Sequence, residues 1–501
     1  MSVRLGTFRA IYVVALCCVG SFLFAYDTGI VGGVLTLDAF RKDFGYTKKA
    51  ATNVNSTAVS ILQAGAFFGC FIIWPITARF GRRWSLVGSS FVFLIGSTLQ
   101  VINTGSIACF YVGRVIAGFG VGAATVLVPM MSAEMAPATI RGQLGSCFQL
   151  FFAGGVCVSY WVNFAVIQHV ASSTLQWQIP IGLQLVPGGI MGLGMIFVKE
   201  SPRWLVKRGR REEALKNLIW VRGGDSDMVQ VEFAEIILAQ EEELRQSEGL
   251  TWRELLLPTN RYKIFVAITV QLSVQLTGNT SMAYFAPQVF TSVGAGSQTS
   301  LITGCFGIVK VVAVSTFCFF VVGRIGRKTA FMGGAAAMGT FMLIIAILVD
   351  KFPPVASTNG ISKPGIAAVL MVYCEAAAYN LSWGPLAWLY LGEIFPTRIR
   401  EVGIAIGAAA QWLFNFALSQ ITPYAITNIG WRTFLMFAIL NYAIVVYAYF
   451  ILKETAGRTL EEMDEVFNRG GEQHTKADLE DPVEIEQARK GEKDADFPQA
   501  V

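Results

Sequence analysis

Long apolar stretches, broken by short clusters of charge, run from the start of the chain to residue 452. From Ala10 to Leu37 the only charged residue is Asp27. Between Arg141 and Lys199 there is no Asp, Glu, Lys or Arg, a gap long enough for two membrane crossings of about 20 residues each. Comparable charge-free stretches cover 50–78, 84–113, 264–309, 311–322, 329–349, 402–431 and 433–452. In a bilayer every backbone N–H and C=O must be satisfied within its own segment, so these stretches predict helices. Twelve spans are predicted, at about 10–34, 58–78, 84–102, 107–129, 143–166, 178–198, 262–290, 298–322, 329–350, 365–391, 402–428 and 431–452.

The charges between the spans give a topology. Arg79, Arg82 and Arg83 follow span 2, twelve Lys or Arg lie from Lys199 to Lys263, and Arg324, Arg327 and Lys328 follow span 8. The loops after spans 3, 5, 7 and 11 carry essentially none, although the first outer loop holds Arg41, Lys42, Lys48 and Lys49. The excess of positive charge puts both termini in the cytoplasm. The clusters also repeat. Gly81-Arg82-Arg83 is echoed by Gly326-Arg327-Lys328, Glu134 and Arg141 by Glu393 and Arg400, and Lys199-Glu200 by Lys453-Glu454, at offsets of 245 to 259 residues. Such duplication implies two six-helix halves related by a pseudo-twofold along the membrane normal. The expected organisation is a cytoplasmic N-terminus (1–9), an N-terminal bundle (10–198), a cytoplasmic linker (199–261) with amphipathic helices at Glu212–Leu218 and Val231–Leu244, a C-terminal bundle (262–452) and a tail (453–501). A short helix is expected at Leu460–Phe467, with disorder from about Asn468 onward.

Composition agrees with this reading: 54% of the 501 residues are hydrophobic and only 15% charged, against about 25% charged in soluble chains. The net charge of +5 is therefore a matter of topology and not a nucleic-acid footprint. Met1–Arg9 feeds straight into span 1, which is expected to serve as the targeting signal in place of a cleaved leader. The nine cysteines fall in or near spans without metal-like or disulfide-like spacing, and two histidines cannot build a metal site alone. Asn55-Ser56-Thr57 matches a glycosylation pattern in the first outer loop, a three-residue match of a kind that arises easily by chance. No catalytic triad, metal cluster or phosphate loop is visible, so no enzyme activity and no cofactor is expected, the proton aside. The glycine-rich Gly118–Gly122 string lies in a membrane helix with no strand before it, which excludes a dinucleotide loop.

Asp27 is the most informative single residue. A carboxylate in hydrocarbon costs several kcal/mol unless it is paired, hydrated or protonated. It is either half of an ion pair that locks helices together or the proton-coupling site of a transporter.

Several strings decide the direction. They are "FAYDTGIVGG" in span 1, "ARFGRR" after span 2, "GRVIAGFGVG" in span 4 and "SAEMAPATIRG" after it. "ESPRWL" follows span 6, "QLTGN" lies in span 7, "GRIGRK" follows span 8, "WGPLAWLYLGEIFPTRIR" surrounds span 10 and "KETAGRTLEEMDEV" follows span 12. In this order they resemble the fungal sugar porters of the major facilitator superfamily over residues 10–470, near the sugar, quinate and galacturonate permease branches. The resemblance implies an all-α membrane protein, with twelve helices in two pseudo-symmetric bundles around a central cavity. It implies alternating-access uptake of a monosaccharide (hexose or pentose) or a sugar-like hydroxy acid such as galacturonate or quinate, by proton symport. A monomer at the plasma membrane is expected.

Site residues follow from the same resemblance. Asp27 takes up the proton and Arg114, at the start of span 4, faces it. Phe24, Gln149, Gln275, Asn279, Thr280, Lys310, Trp388, Gln411, Trp412 and Asn415 surround the substrate, with Tyr26 also lining the site. Arg82, Glu134, Arg141, Glu200, Arg327, Glu393, Arg400 and Glu454 form a cytoplasmic gate that latches the halves when the protein faces outward. The chain departs from the family pattern at Ala78 and Gly323, where an aspartate is usual, at Val274, where span 7 usually has a first glutamine, and at Lys310, where an asparagine is usual. A lysine in mid-membrane is a functional hypothesis by default. It pairs with Glu375, snorkels to the interface, or meets the carboxylate of an acidic substrate. A proton-independent facilitator and a transporter-like nutrient sensor are the rival functions. The tail of 49 residues after Leu452 is short for a sensor.

Overall fold

A computed structural model describes residues 2–137, 141–247, 257–321, 324–353, 361–395 and 399–455. Apolar runs with no other way to satisfy their backbones have become helices throughout. Span 1 is α1 (Ser2–Val34) and, after the short α2 (Asp38–Asp43), span 2 is α3 (Ala51–Phe80). Spans 3, 4 and 5 are α4 (Arg82–Val101), α5 (Ile107–Met135) and α6 (Arg141–His169), and span 6 is the pair α7 (Thr174–Gly182) and α8 (Leu185–Phe197). The linker folds as α9 (Pro202–Lys207), α10 (Arg211–Arg222) and α11 (Asp227–Ser247). Span 7 is α12 (Pro258–Leu276), α13 (Asn279–Tyr284) and α14 (Ala286–Ser292). Spans 8 and 9 are α15 (Thr299–Thr316) with a π-helical end at Phe317–Val321, and α16 (Arg327–Lys351). Span 10 is α17 (Lys363–Asn380) with α18 (Trp383–Glu393), and spans 11 and 12 are α19 (Arg400–Ile429) and α20 (Arg432–Phe450).

Eleven helical segments among the described residues are long and apolar enough to cross a bilayer, and the broken span 7 completes the twelve. Its break has a local cause. Gly278 stands at φ +88°, a left-handed conformation that a side chain disfavours, and a Cβ there would lie 2.8 Å from the Phe437 ring. The interruption frees backbone groups at mid-membrane, where a polar cavity can use them.

The packing repeats after six spans. Span 1 lies on span 5, span 2 on span 4, and span 3 on spans 4 and 6; span 7 lies on span 11, span 8 on span 10, and span 9 on spans 10 and 12. The halves meet along two seams that the pseudo-twofold exchanges, span 2 with span 11 and span 5 with span 8. Hydrogen bonds joining the halves cluster on the side away from the termini. Ser60 Oγ donates to Gln420 Oε1 at 2.7 Å, Tyr160 Oη to the Ala283 carbonyl at 2.6 Å, and Tyr424 Oη to Asn53 Oδ1 at 3.3 Å. An aromatic cluster on that side joins Tyr26, Phe40, Phe110 and Trp177 to Tyr284 and Phe285 of span 7. This far face is therefore sealed.

The linker is anchored to the N-terminal half. Trp204, Leu205, Leu218 and Ile236 form a small core of their own, and Arg9 of α1 donates to the Trp220 carbonyl at 2.8 Å. Arg222 bonds the Met135 carbonyl at 2.9 Å and pairs with Glu232 at 2.6 Å. Helix α10 is longer at both ends than the expected Glu212–Leu218, because its apolar face continues through Val221 onto α1. The helix expected at Leu460–Phe467 and the tail beyond it lie outside the described residues. The glycosylation-pattern match falls on a helix. Asn55 lies inside α3, not in a loop, and its side-chain oxygen is buried without a hydrogen bond. A helical, half-buried asparagine is not presented as a glycan acceptor.

Candidate substrate cavity and charge sites

The span 1 carboxylate has the partner that its burial demands. Arg114 Nη1 donates to Asp27 Oδ1 at 2.5 Å, with the two side chains 0% and 1% exposed. Arg114 Nε donates to the Ala58 carbonyl at 2.8 Å, which fixes the guanidinium between spans 1 and 2. Asp27 Oδ2 and Arg114 Nη2 make no hydrogen bond. The contact is thus single rather than bidentate, and one proton on the carboxylate is enough to turn the ion pair into a hydrogen bond between a cation and a neutral acid. Two residues close to the pair reach the centre of the molecule. Thr28, the next residue, and Tyr284, whose hydroxyl accepts from Asn415 Nδ2 at 3.4 Å, both line the central cavity.

That cavity lies between the halves and is narrow, with a volume of about 60 Å³ open to water-sized molecules. Span 1 contributes Phe24, span 5 Gln149, span 7 Asn279 and Thr280, span 8 Lys310, span 10 Trp388, and span 11 Gln411 and Asn415. Eight of the ten expected substrate residues are therefore brought together. Gln275 and Trp412 are not among the lining residues. Gln275 is 1% exposed and its amide makes no hydrogen bond. Trp412 packs against Leu23, Leu62 and Phe93 of the opposite half, with its ring 4.9 Å from that of Phe24. Tyr26 also fails as a lining residue: it belongs to the far-face aromatic cluster and donates to the Pro180 carbonyl at 3.0 Å. Which side chains of a buried helix reach a cavity and which pack beside it is not readable from a uniformly apolar run. Sequence reasoning missed Tyr284, Tyr379 and Asn380, which line the cavity. Tyr379 and Asn380 sit at the end of α17, just before the span 10 break; that interruption was the available signal.

A second buried charge group occupies the C-terminal half. Lys310 lines the cavity although it is only 5% exposed, and its Nζ lies 5.0 Å from the centre of the Phe306 ring. It does not snorkel. Glu375 of span 10 is 0% exposed and is absent from the cavity lining. Asn279 Nδ2 donates to Glu375 Oε2 at 3.0 Å, while Oε1 has no hydrogen-bond partner. Lys310 and Glu375 attract each other through space without an ion-pair contact among those the structure forms. Of the three roles open to Lys310, neither snorkelling nor a closed bridge to Glu375 is formed; Asn279 holds the carboxylate and Lys310 faces the cavity.

At the face carrying the termini, the charge repeat forms two matching constructions. In the N-terminal half Arg82 pairs with Glu134 at 3.1 Å, and Glu200 accepts the backbone N–H groups of Arg82 (3.0 Å) and Arg83 (3.1 Å). In the C-terminal half Arg327 pairs with Glu393 at 3.2 Å, and Glu454 accepts the N–H groups of Arg327 (2.7 Å) and Lys328 (3.1 Å). Glu200 and Glu454 therefore cap the N-termini of α4 and α16, where unsatisfied N–H groups and the helix dipole favour a carboxylate. The glycine of each motif makes room: a Cβ on Gly81 would lie 2.2 Å from Glu200 Oε2, and one on Gly326 2.5 Å from Glu454 Oε2. Each of these contacts lies within one half, not across the two; the latch between the halves is expected of the outward-facing form, whereas here the far face is the one that is closed. The side chains of Arg141 and Arg400 lie outside the described residues, as does Gly323. At Ala78 the carbonyl accepts from Trp204 Nε1 (3.1 Å) and Arg208 Nη2 (2.8 Å), so the linker occupies the region where the usual aspartate is missing. Burial raises the Glu200 carboxyl above its ordinary value, against the pull of the Ser201, Arg83 and Arg82 N–H groups and the Arg82 charge.

Comparisons with known proteins agree with this geometry. The family model described as "Sugar (and other) transporter" matches residues 13–467. A probable quinate permease of Aspergillus fumigatus is 35% identical over 470 residues, covering 90% of this chain and 86% of the relative. The quinate permease of Emericella nidulans is 33% identical over 483 residues, covering 94% and 91%. Among solved structures, the major facilitator superfamily proton:xylose symporter XylE bound to 6-bromo-6-deoxy-D-glucose has a TM-score of 0.75 at 26% identity, covering 92% of this chain and 100% of that one. The inward-open xylose transporter XylE from E. coli matches with the same TM-score, identity and coverage. A matched family model across nearly the whole chain, relatives above 30% identity and a shared twelve-helix architecture lead to one conclusion: this chain is a multi-pass membrane transporter, and it belongs to the sugar transporter family of the major facilitator superfamily.

Proposed function

We propose that the protein takes up a small polyhydroxylated carboxylic acid of the quinate or galacturonate class, by proton symport. The observation that carries the reading is the Lys310 ammonium on the wall of a cavity otherwise furnished with amides, hydroxyls and an indole. Gln149, Asn279, Gln411 and Asn415 supply paired donors and acceptors for ring hydroxyls, Trp388 and Phe24 supply apolar faces, and Lys310 supplies a cation for a carboxylate. The quinate permease relatives support the acid, and the proton:xylose symporter supports the coupling. Asp27 carries the driving proton, and its protonation loosens the Arg114 contact and biases the halves between two openings. Arg82, Glu134, Arg141, Glu200 and their echoes Arg327, Glu393, Arg400 and Glu454 form the gate at the face of the termini. The Lys/Arg distribution places that face in the cytoplasm, with the plasma membrane as the location and a monomer as the working unit.

A second reading, a neutral monosaccharide, is favoured by the amide set alone, because Gln149, Gln411 and Asn415 need no charge on their ligand. Uptake of labelled quinate, galacturonate, glucose and xylose by yeast lacking its own carriers separates the two. Preference for an acid, lost on Lys310→Asn, supports the first; preference for glucose or xylose that survives this substitution supports the second. Transport of none of the four at acid pH would sink both and favour a sensor.

A further inference from the structure

Glu375 is a fully buried carboxylate that neither lines the cavity nor forms a close ion pair, and nothing described so far gives it a task. Its surroundings define one. The charged and titratable groups that face it are Lys310 from span 8 and Tyr379 from its own span. Span 7 offers the Asn279 amide, bonded to Oε2 at 3.0 Å. Span 9, which packs along span 10, contributes Met342, Ile345 and Ala346 to the shared core. The hydroxyl of Tyr373, two residues before it on span 10, is engaged with the Ile302 carbonyl at 2.7 Å. Lys310 and Asn279 both stand on the cavity wall and Glu375 stands behind them. The group is thus a wall with a cation toward the substrate and an anion on its dry side.

With the cavity free of anions, the positive and negative charges balance. A substrate carboxylate on Lys310 changes the count to two anions and one cation in a low-dielectric site. An uncompensated buried charge costs several kcal/mol, and two carboxylates near one cation bind a proton more tightly than either alone. Asp27 cannot answer this excess locally: it lies on span 1, already paired with Arg114. Glu375 Oε1, with no hydrogen-bond partner, is free to become O–H while Oε2 keeps its bond from Asn279.

We infer that Glu375 is a second proton-carrying group, which takes up one proton when an anionic substrate binds to Lys310. The inference rests on the acid-substrate reading of the cavity. The balance is simple: one carboxylate anion and one proton enter the wall together, an O–H bond forms at Glu375, and the net charge of the group returns to zero. A neutral sugar leaves Lys310 and Glu375 balanced and draws no proton to this site. The proton at Asp27 is separate and drives the conformational cycle.

Proton uptake on binding tests this. The full-length Asp27→Asn protein, in weakly buffered detergent solution with a pH indicator, is mixed with quinate and, separately, with xylose. About one proton taken up per quinate bound, and none with xylose, is expected. The companion variant Asp27→Asn/Glu375→Gln, whose amide stands in for the protonated acid, is expected to bind quinate without proton uptake. Its quinate affinity should then lose the decline, up to about tenfold per pH unit, that coupled protonation imposes above neutrality. Quinate binding to the Asp27→Asn protein without proton uptake overturns the role of Glu375 and leaves the acid-substrate reading intact. The measurement needs only that protein, so it stands even where the double variant does not fold. Failure of both quinate and galacturonate to bind the unaltered protein overturns the acid-substrate reading and this inference with it.

Discussion

Asp27, Arg114 and Lys310 are each a single charge in a setting that penalises charge: the first two are paired with each other, and the third faces the cavity. Asp27→Asn keeps the size of the side chain and removes the titration. It is expected to abolish accumulation of substrate against its gradient while counterflow exchange persists, and accumulation that persists in the variant would remove Asp27 from the coupling. Arg114→Ala strands a buried carboxylate beside the Ala58 carbonyl it once relieved. Loss of one partner of a buried pair costs about 3–5 kcal/mol, so a clear fall in the thermal unfolding temperature of the purified protein is expected. Restoration of that temperature by a further Asp27→Asn change would assign the loss to the stranded charge. These three residues were legible because a charge stands out in an apolar run. Gln275, Trp412 and Tyr26 were misplaced because amides and aromatics are compatible with either face of a buried helix. Only tertiary packing, invisible in the pattern, decides which of them reach the cavity.

The helices explain the motifs that join them. The repeated Gly-Arg-Arg and Gly-Arg-Lys strings serve a cap: Glu200 and Glu454 sit on the first N–H groups of α4 and α16, and Gly81 and Gly326 leave them space. Gly81→Ala would require a side chain at φ +92° and a Cβ inside the Glu200 carboxylate. It should destabilise the N-terminal bundle more than the about 0.5–2 kcal/mol typical of a lost cap, read as a drop in unfolding temperature. Glu200 also gives a pH dependence with a definite sign. Its folded carboxyl is raised above 4.5, so the folded chain holds this proton more tightly than the unfolded one. Its contribution is greatest below the unfolded value and is lost as pH rises through the raised one. Glu200→Gln should flatten that part of the stability profile just above pH 4.5; an unchanged profile would show that another group causes it. The existence and order of the spans were legible from charge-free length alone. The break of span 7 was not read from its Thr-Gly-Asn string, since a glycine in a membrane helix is usually compatible with continuity. Phe437, a residue far away in sequence, packs so closely that a Cβ on Gly278 would lie 2.8 Å from its ring, which is why the bend holds a glycine.

The molecule as a whole is two similar bundles hinged along two equivalent seams, closed on the far face by aromatic packing and by Ser60, Asn53 and Tyr160 reaching across to the other half. Alternating access requires these contacts to part. A disulfide or bifunctional cross-link between cysteines introduced at Asn53 and Tyr424 should therefore block transport reversibly, and transport that continues through a complete cross-link would exclude opening at this seam. The duplicated architecture was legible from the repeated charge clusters. The direction of closure was not, because the same sequence must be compatible with both openings. The proposed proton symport draws on the buried pair, the cavity and the two halves together. It is tested by quinate uptake into proteoliposomes of the purified protein, with the exterior made more acid than the lumen. Accumulation above the external concentration that collapses with a protonophore is the expected result. Uptake that stops at equal concentrations, with or without the pH gradient, would contradict it and make the protein a facilitator.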